Sequence, residues 1–128
     1  MSYKLSKRSR DRLEGIHVVL IDIIEAAITD SPFDFGIPQM GGLRTAEDQA
    51  MLYSKGVSQC DGYVKKSYHQ TGRAFDIYAY VDGKASWNVD HLSAIADHIM
   101  CVAKDKFNVE LEWGGHWKNF VDLPHFQI

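Results

Sequence analysis

Cysteine is scarce in this sequence, and its scarcity excludes two classes of small protein. Only two cysteines occur among 128 residues, Cys60 and Cys101, and they do not form the CxxC spacing of a thiolate zinc knuckle. A disulfide-stapled scaffold is not indicated either, and we expect both thiols to be reduced. At this length one domain, residues 1–128, can bury a sufficient core without such cross-links. Catalysis by a cysteine nucleophile is the least favoured function, since neither cysteine has a histidine placed beside it.

Long apolar runs are also absent. The most apolar stretch, residues 16–28, is interrupted by His17, Asp22 and Glu25 and is too short to cross a bilayer. Basic residues precede it, but no small-residue cleavage site follows, so a signal peptide is not predicted. We therefore expect a monomer that is made in the cytoplasm and does not insert into membranes.

A large net charge of either sign is missing as well. The formal net charge is -3, although residues 1–14 hold five basic and two acidic side chains. The remainder is therefore acidic, and the basic footprint of a nucleic-acid-binding protein is lacking. The basic start indicates a solvated helix face, and contact with an anionic polymer is the alternative.

Hydrophobic spacing predicts three helical regions. Apolar residues over 7–29 recur at helical spacing and predict one amphipathic helix, or two with a break near Gly15. Thr45 and Asp48 form a shortened capping box that starts a helix ending near Ser54. A long amphipathic helix is predicted from the cap at Asn88 to residue 107.

Alternating apolar residues predict strands between these helices. Residues 33–37 form a short alternating run that Pro38 ends, and residues 74–81 form a longer one. Asp82-Gly83 is a hairpin signal after the second run, and residues 109–113 alternate again before Gly114-Gly115. The pattern therefore indicates both helices and strands, and it agrees with the α+β fold that a family resemblance described below implies.

The stretch from Ser67 to Asp76 contains the most informative polar residues. His69 and Asp76 stand seven positions apart, on either side of Gly72, just where an apolar strand begins. Burying an unpaired carboxylate there would cost several kcal/mol, so a cation or hydrogen-bond donors must meet it. A metal ion would satisfy both side chains, and a hydrogen-bonded structural pair is the other explanation.

A third candidate ligand lies near the end of the chain. His125 follows Pro124, and together with His69 and Asp76 it completes the nitrogen and oxygen donor set that zinc accepts, with a fourth position left for water. Asp122, three residues earlier, is a carboxylate that could accept a proton from that water. His91 and His98 share a helix and are weaker ligand candidates.

These residues resemble a known family. Ser67-x-His69-x-x-Gly72-x-Ala74-x-Asp76 with Asp122-x-x-His125 is similar to the VanY-like zinc D-alanyl-D-alanine carboxypeptidases and L-alanyl-D-glutamate endopeptidases. The segments Gly42-Leu43-Arg44-Thr45, Trp113-Gly114-Gly115 and 120–126 are closest to single-domain phage endolysins. The resemblance implies helices packed on a small antiparallel sheet that carries Zn²⁺ on His69, Asp76 and His125.

The resemblance also implies roles for the remaining polar residues. Asp122 would be the general base, Arg44 would steady the oxyanion or hold a substrate carboxylate, and Ser67 would hydrogen-bond the substrate. The partner would be a peptidoglycan stem peptide, cut at the L-Ala-D-Glu bond in the periplasm or cell wall, after a separate protein permeabilises the host membrane. Carboxypeptidases of the family usually have glutamate where this chain has Asp122, which favours the endopeptidase.

Two other functions remain open at this point: a D-alanyl-D-alanine carboxypeptidase, and a non-catalytic zinc module that binds the wall. One residue departs from the endolysin pattern, because similar endolysins have aspartate where His116 follows Gly114-Gly115. His116 could be harmless, could change the pH dependence, or could provide a fourth metal ligand.

Overall fold

Four α-helices supply most of the regular structure in this computed structural model, which describes residues 2–128. The long helix starts as predicted, because the Asn88 side chain accepts hydrogen bonds from the backbone N–H groups of Asp90 and His91. The capping box of Thr45 and Asp48 is also formed. The helices are α1 (Lys7–Arg12), α2 (Val18–Thr29), α3 (Ala46–Ser54) and α4 (Val89–Phe107).

The first helical region is divided, as the second alternative predicted. Gly15 lies between α1 and α2 with a φ of +86°, a conformation that favours glycine. A Cβ at this position would also stand 2.8 Å from Cδ2 of Leu43, so a larger residue would displace that side chain. An ion pair between Arg10 and Glu25, at 2.9 Å, joins the two helices across the break.

Six short strands form two antiparallel sheets of three strands each. The first sheet has the order β1-β3-β4 and the second has the order β2-β6-β5. The α+β class is confirmed. The strands are β1 (Asp34–Gly36), β2 (Ala74–Asp76), β3 (Tyr78–Val81), β4 (Lys84–Ser86), β5 (Glu112–Trp113) and β6 (His125–Gln127).

The strand predicted over residues 74–81 is not continuous. It divides at Ile77, where the backbone N–H donates to the carbonyl of Pro124 at 3.0 Å. Before Ile77 the chain pairs with β6, and after it the chain pairs with β1 and β4. The same run of residues therefore joins the two sheets, and Asp76 lies at the end of β2, where the chain leaves the second sheet.

One connected core lies between the helices and both sheets. α2 and α4 pack against each other, and α4 also packs on β3. His98 Nε2 lies 2.8 Å from the carbonyl of Ala27, so this histidine links the two helices and is not a metal ligand. His91 contacts the Ser86 hydroxyl at 2.7 Å. Within residues 2–128, no helix combines the length and apolar character needed to span a bilayer.

Candidate metal centre and cleft

Three side chains that are distant in sequence converge at the edge of the second sheet. His69 lies in a 3-10 turn (Tyr68–Thr71) just before β2, while Asp76 and His125 are paired residues of β2 and β6. Asp76 Oδ1 lies 3.2 Å from His69 Nε2 and 3.2 Å from His125 Nδ1. The two imidazole nitrogens are also 3.2 Å apart. The predicted ligand set is therefore brought together around one point, and it could hold a metal ion.

Each histidine is oriented by a carbonyl oxygen on its far side. His69 Nδ1 lies 2.9 Å from the Gly42 carbonyl, and His125 Nε2 lies 2.7 Å from Gln127 Oε1. Both oxygens only accept hydrogen bonds, so these ring nitrogens carry the protons. The Gln127 amide is itself oriented, since its Nε2 donates to Glu112 at 3.1 Å. When the rings are neutral, the lone pairs of His69 Nε2 and His125 Nδ1 therefore face Asp76, and a protonated ring would donate to Asp76 from the same atom.

The chemistry of this donor set fits a divalent cation. Burial alone would raise the pKa of the Asp76 carboxyl, but the charges and hydrogen bonds of His69 and His125 outweigh it and hold that pKa well below its usual range. Burial opposes protonation of His125, yet its contact with Asp76 raises the pKa of the ring above the ordinary value. An ionised oxygen between two imidazole nitrogens needs a proton or a metal ion, and two nitrogens with one oxygen is a zinc donor set.

Arg44 holds the other oxygen of the Asp76 carboxylate. Its Nη2 donates to Asp76 Oδ2 at 3.0 Å, its Nε donates to the Met40 carbonyl at 2.8 Å, and its Nη1 donates to Gln49 Oε1 at 3.1 Å. The side chain is 11% exposed and lines a cleft beside the histidines. Arg44 therefore fixes Asp76 so that Oδ1 faces the histidines, and two of its five N–H bonds have no protein acceptor within residues 2–128.

Asp122 lies on the wall of the same cleft. Its backbone N–H donates to the Gly114 carbonyl at 3.0 Å, and its carbonyl accepts from the backbone N–H of His125 at 3.2 Å. A Cβ at position 114 would lie 2.3 Å from the Asp122 carbonyl oxygen, so only glycine permits this approach. Burial, followed by repulsion from Asp76, raises the pKa of the Asp122 carboxyl. A carboxylate with a raised pKa close to the ligand set has the properties of a general base.

The cleft encloses about 260 Å³ between two irregular segments. Residues of the segments 58–60 and 65–69 and of the segment 117–127 line it, together with Arg44. Ser67 is one of the lining residues and caps the 3-10 turn, since its hydroxyl oxygen accepts from the backbone N–H of His69 at 3.2 Å. The hydroxyl proton of Ser67 is not used in that bond and is available to a ligand in the cleft.

His116 lies outside the ligand set. Its ring is exposed and packs edge-on against the Trp113 ring, with the centroids 4.8 Å apart. Within residues 2–128, the group of potential ligands contains only His69, Asp76 and His125. The geometry therefore gives no support to His116 as a fourth ligand.

Two glutamines that orient the site were not identified from the sequence. Gln127 bonds His125, and Gln49, which is fully buried, holds Arg44 and also donates to Ser58 and to the Cys60 carbonyl. The signal for Gln127 was present, because residues 125 and 127 of one strand face the same side of a sheet. Gln49 could not be recognised in this way, since its partners lie in a loop without regular structure.

Comparison with known proteins points to one group. Residues 1–126 match the family of phage L-alanyl-D-glutamate peptidases. The L-alanyl-D-glutamate peptidase of Escherichia phage T5 is 31% identical over 121 residues, which cover 91% of this chain and 83% of that protein. The peptidoglycan L-alanyl-D-glutamate endopeptidase CwlK of Bacillus subtilis is 29% identical over 116 residues, 84% of this chain and 68% of that protein. The crystal structure of the Serratia marcescens L-Ala D-Glu endopeptidase ChiX superposes with a TM-score of 0.86 at 33% identity, over 99% of this chain and 90% of that one.

Proposed function

This chain belongs to the phage L-alanyl-D-glutamate peptidase family, and from that premise we propose that it is an endolysin that hydrolyses the L-Ala-D-Glu bond of peptidoglycan stem peptides. The observation that supports this most directly is the convergence of His69, Asp76 and His125 beside a spare carboxylate, Asp122, in one cleft. A purely structural metal site would be closed and would not need a proton acceptor beside it.

We propose Zn²⁺ as the ion, held by His69 Nε2, Asp76 Oδ1 and His125 Nδ1. When bound, it would supply Lewis-acid chemistry, which polarises the peptide carbonyl and makes water more acidic. Arg44 and Gln127 keep the ligand atoms directed at one point before any ion arrives, which lowers the cost of ordering them on binding.

The proton transfers are assigned to Asp122. Its ionised carboxylate accepts a proton from the attacking water and returns it to the nitrogen of D-Glu as the C–N bond breaks, which leaves L-Ala with a new carboxylate. Arg44, which has two unused N–H bonds, and Ser67 both line the cleft and would donate to carbonyl oxygens of the substrate. Removal of one such donor typically costs about 10² to 10³ in rate.

We further propose that the protein acts as a monomer on the cell wall during host lysis, where a separate protein opens the membrane to it. The relatives of phage origin support this placement. Sedimentation or scattering measurements on the purified chain would test the monomer, and an assay of lysis from within, with and without a pore-forming partner, would test the requirement for that partner.

Mass spectrometry of digested sacculi tests the reaction directly. We expect products with a new D-Glu amino terminus, formed by the native enzyme, lost after chelation and restored by Zn²⁺. An Asp122→Asn variant that retains Zn²⁺ serves as the inactive control. Release of free D-alanine would instead identify a carboxypeptidase, and the absence of any cleavage with metal bound would refute the proposed activity.

A further inference from the structure

Two adjacent lysines on the cleft wall take no part in the mechanism described above. Lys65 and Lys66 both line the cleft beside Ser67 and are otherwise exposed. Among the ion pairs of residues 2–128, neither lysine has a carboxylate within 4.0 Å. The lining of the cleft therefore includes two lysines that no carboxylate of residues 2–128 neutralises.

Hydrogen bonds connect the segment that carries these lysines to Asp61 and to the turn that contains His69. Asp61 Oδ1 accepts hydrogen bonds from the backbone N–H groups of Tyr63, Val64 and Lys65 at 3.1, 3.0 and 2.9 Å. The Gly62 N–H donates to the Lys65 carbonyl at 3.1 Å, and the Gly62 carbonyl in turn accepts from the Gln70 side chain at 3.0 Å. These bonds tie the backbone at Lys65 to the turn that carries His69, so both lysines start from the rim of the cleft that they line.

The other charged side chains of the cleft are either paired with another protein group or assigned to proton transfer. Arg44 is paired with Asp76, and among residues 2–128 Asp122 is the only acidic residue that lines the cleft. Asp122 is assigned to proton transfer, and it would repel a second carboxylate that approached it closely. An anionic group of a ligand would therefore be drawn to the wall formed by Lys65 and Lys66.

The substrate proposed above carries such an anion next to the bond that is cut. In an L-Ala-D-Glu unit the glutamate nitrogen belongs to the scissile amide, and one of its two carboxyl groups continues the chain. The other carboxyl group stays free and ionised, a few bonds from the scissile nitrogen. We infer that Lys65 and Lys66 bind this free carboxylate and thereby select an acidic glutamate over its amidated form, an inference that rests on the proposed endopeptidase function.

Two synthetic stem peptides that differ in one group provide the test. One has the free carboxylate on D-Glu and the other has a carboxamide there. For the native Zn²⁺ enzyme we expect kcat/KM to be about 3- to 10-fold higher for the acid, the size expected from two exposed ion pairs. The Lys65→Ala/Lys66→Ala double variant should lose that preference chiefly by slowing cleavage of the acid, with cleavage of the amide nearly unchanged.

A matched control removes the same charge elsewhere. Lys55 and Lys84 are exposed, do not line the cleft, and form no ion pair within residues 2–128. The Lys55→Ala/Lys84→Ala double variant should keep the preference for the acid. As a second measurement that needs no variant, about 0.5 M salt should reduce the preference of the native enzyme several-fold, since exposed charges are screened over a few ångströms at that ionic strength.

The outcomes separate this inference from the function on which it rests. Equal cleavage of acid and amide by the native enzyme would overturn the inference and leave the endopeptidase activity intact. An unchanged preference in the Lys65→Ala/Lys66→Ala variant would also overturn it, as would loss of the preference in the control variant to the same degree. Cleavage of neither peptide would overturn both proposals.

Discussion

The Gln127 side chain offers a direct test of how the candidate metal centre is built. Its Oε1 accepts from His125 Nε2 at 2.7 Å, and its Nε2 donates to Glu112, which also accepts from Trp117 Nε1 at 2.7 Å. The substitution Gln127→Met keeps a side chain of similar length and removes both bonds. His125 then loses the acceptor that holds its proton on Nε2, so the ring can carry the proton on Nδ1, the atom needed for the metal.

The magnitude follows from the burial of His125. Its side chain is 7% exposed, so water cannot readily replace the lost acceptor. An unsatisfied buried donor costs about 1 to 3 kcal/mol. Loss of a residue that orients a metal-bound histidine typically weakens metal binding about 10- to 100-fold, which corresponds to about 1.4 to 2.8 kcal/mol. The two ranges overlap, and we expect Gln127→Met to weaken Zn²⁺ binding about 10- to 100-fold.

Competition with a chromogenic chelator measures this affinity without any substrate. The control is the double substitution Gln127→Glu with Glu112→Gln, which exchanges the amide and the carboxylate. Position 127 then still accepts from His125, and position 112 still bonds both position 127 and Trp117, so affinity should return to within a few-fold of the native value. If Gln127→Met binds Zn²⁺ as tightly as the native chain, the hydrogen bond from His125 to Gln127 does not orient this histidine for the metal.

Three further substitutions test the remaining parts of the site. Asp122→Asn should retain Zn²⁺ and lose at least about 10²-fold in turnover, and the native kcat/KM should fall at low pH as Asp122 becomes protonated, because a base acts only when ionised. In the metal-free protein, burial and repulsion from Asp76 raise the pKa of the Asp122 carboxyl, so its ionised form destabilises the fold. Metal-free Asp122→Asn should therefore need more denaturant to unfold at neutral pH than the metal-free native protein. His69→Ala should make the melting temperature insensitive to chelator, whereas that of the native protein should fall when metal is removed; a shift of equal size in both would contradict the ligand assignment. Arg44→Lys cannot serve Met40, Gln49 and Asp76 together with one nitrogen, and it should lower the free energy of unfolding by about 1 to 3 kcal/mol in a denaturant titration; a change below about 0.5 kcal/mol would show that this network contributes little.

Local features of the sequence determined the helices and indicated the candidate ligands. The capping residues Thr45 and Asn88 bond backbone groups only two or three residues away. The break at Gly15 depends on the backbone conformation of that one residue. Neighbouring residues in the sequence therefore suffice to predict these features. The candidate ligands could be selected because buried imidazole and carboxylate groups are costly without a cation, whatever the fold. Membership of the family and the α+β class followed from the same residues.

Only the tertiary structure decided how these residues are held. Whether residues 74–81 form one strand or two depends on pairing with β1 and β6, which come from opposite parts of the chain. Arg44 could not be assigned to Asp76 in advance, because 32 residues separate them and any nearby acid would have satisfied its charge equally well. Hydrogen bonds of this kind depend on the three-dimensional approach of distant segments. Local sequence can therefore indicate which side chains take part in the site, while the packing of the two sheets fixes their partners and their geometry.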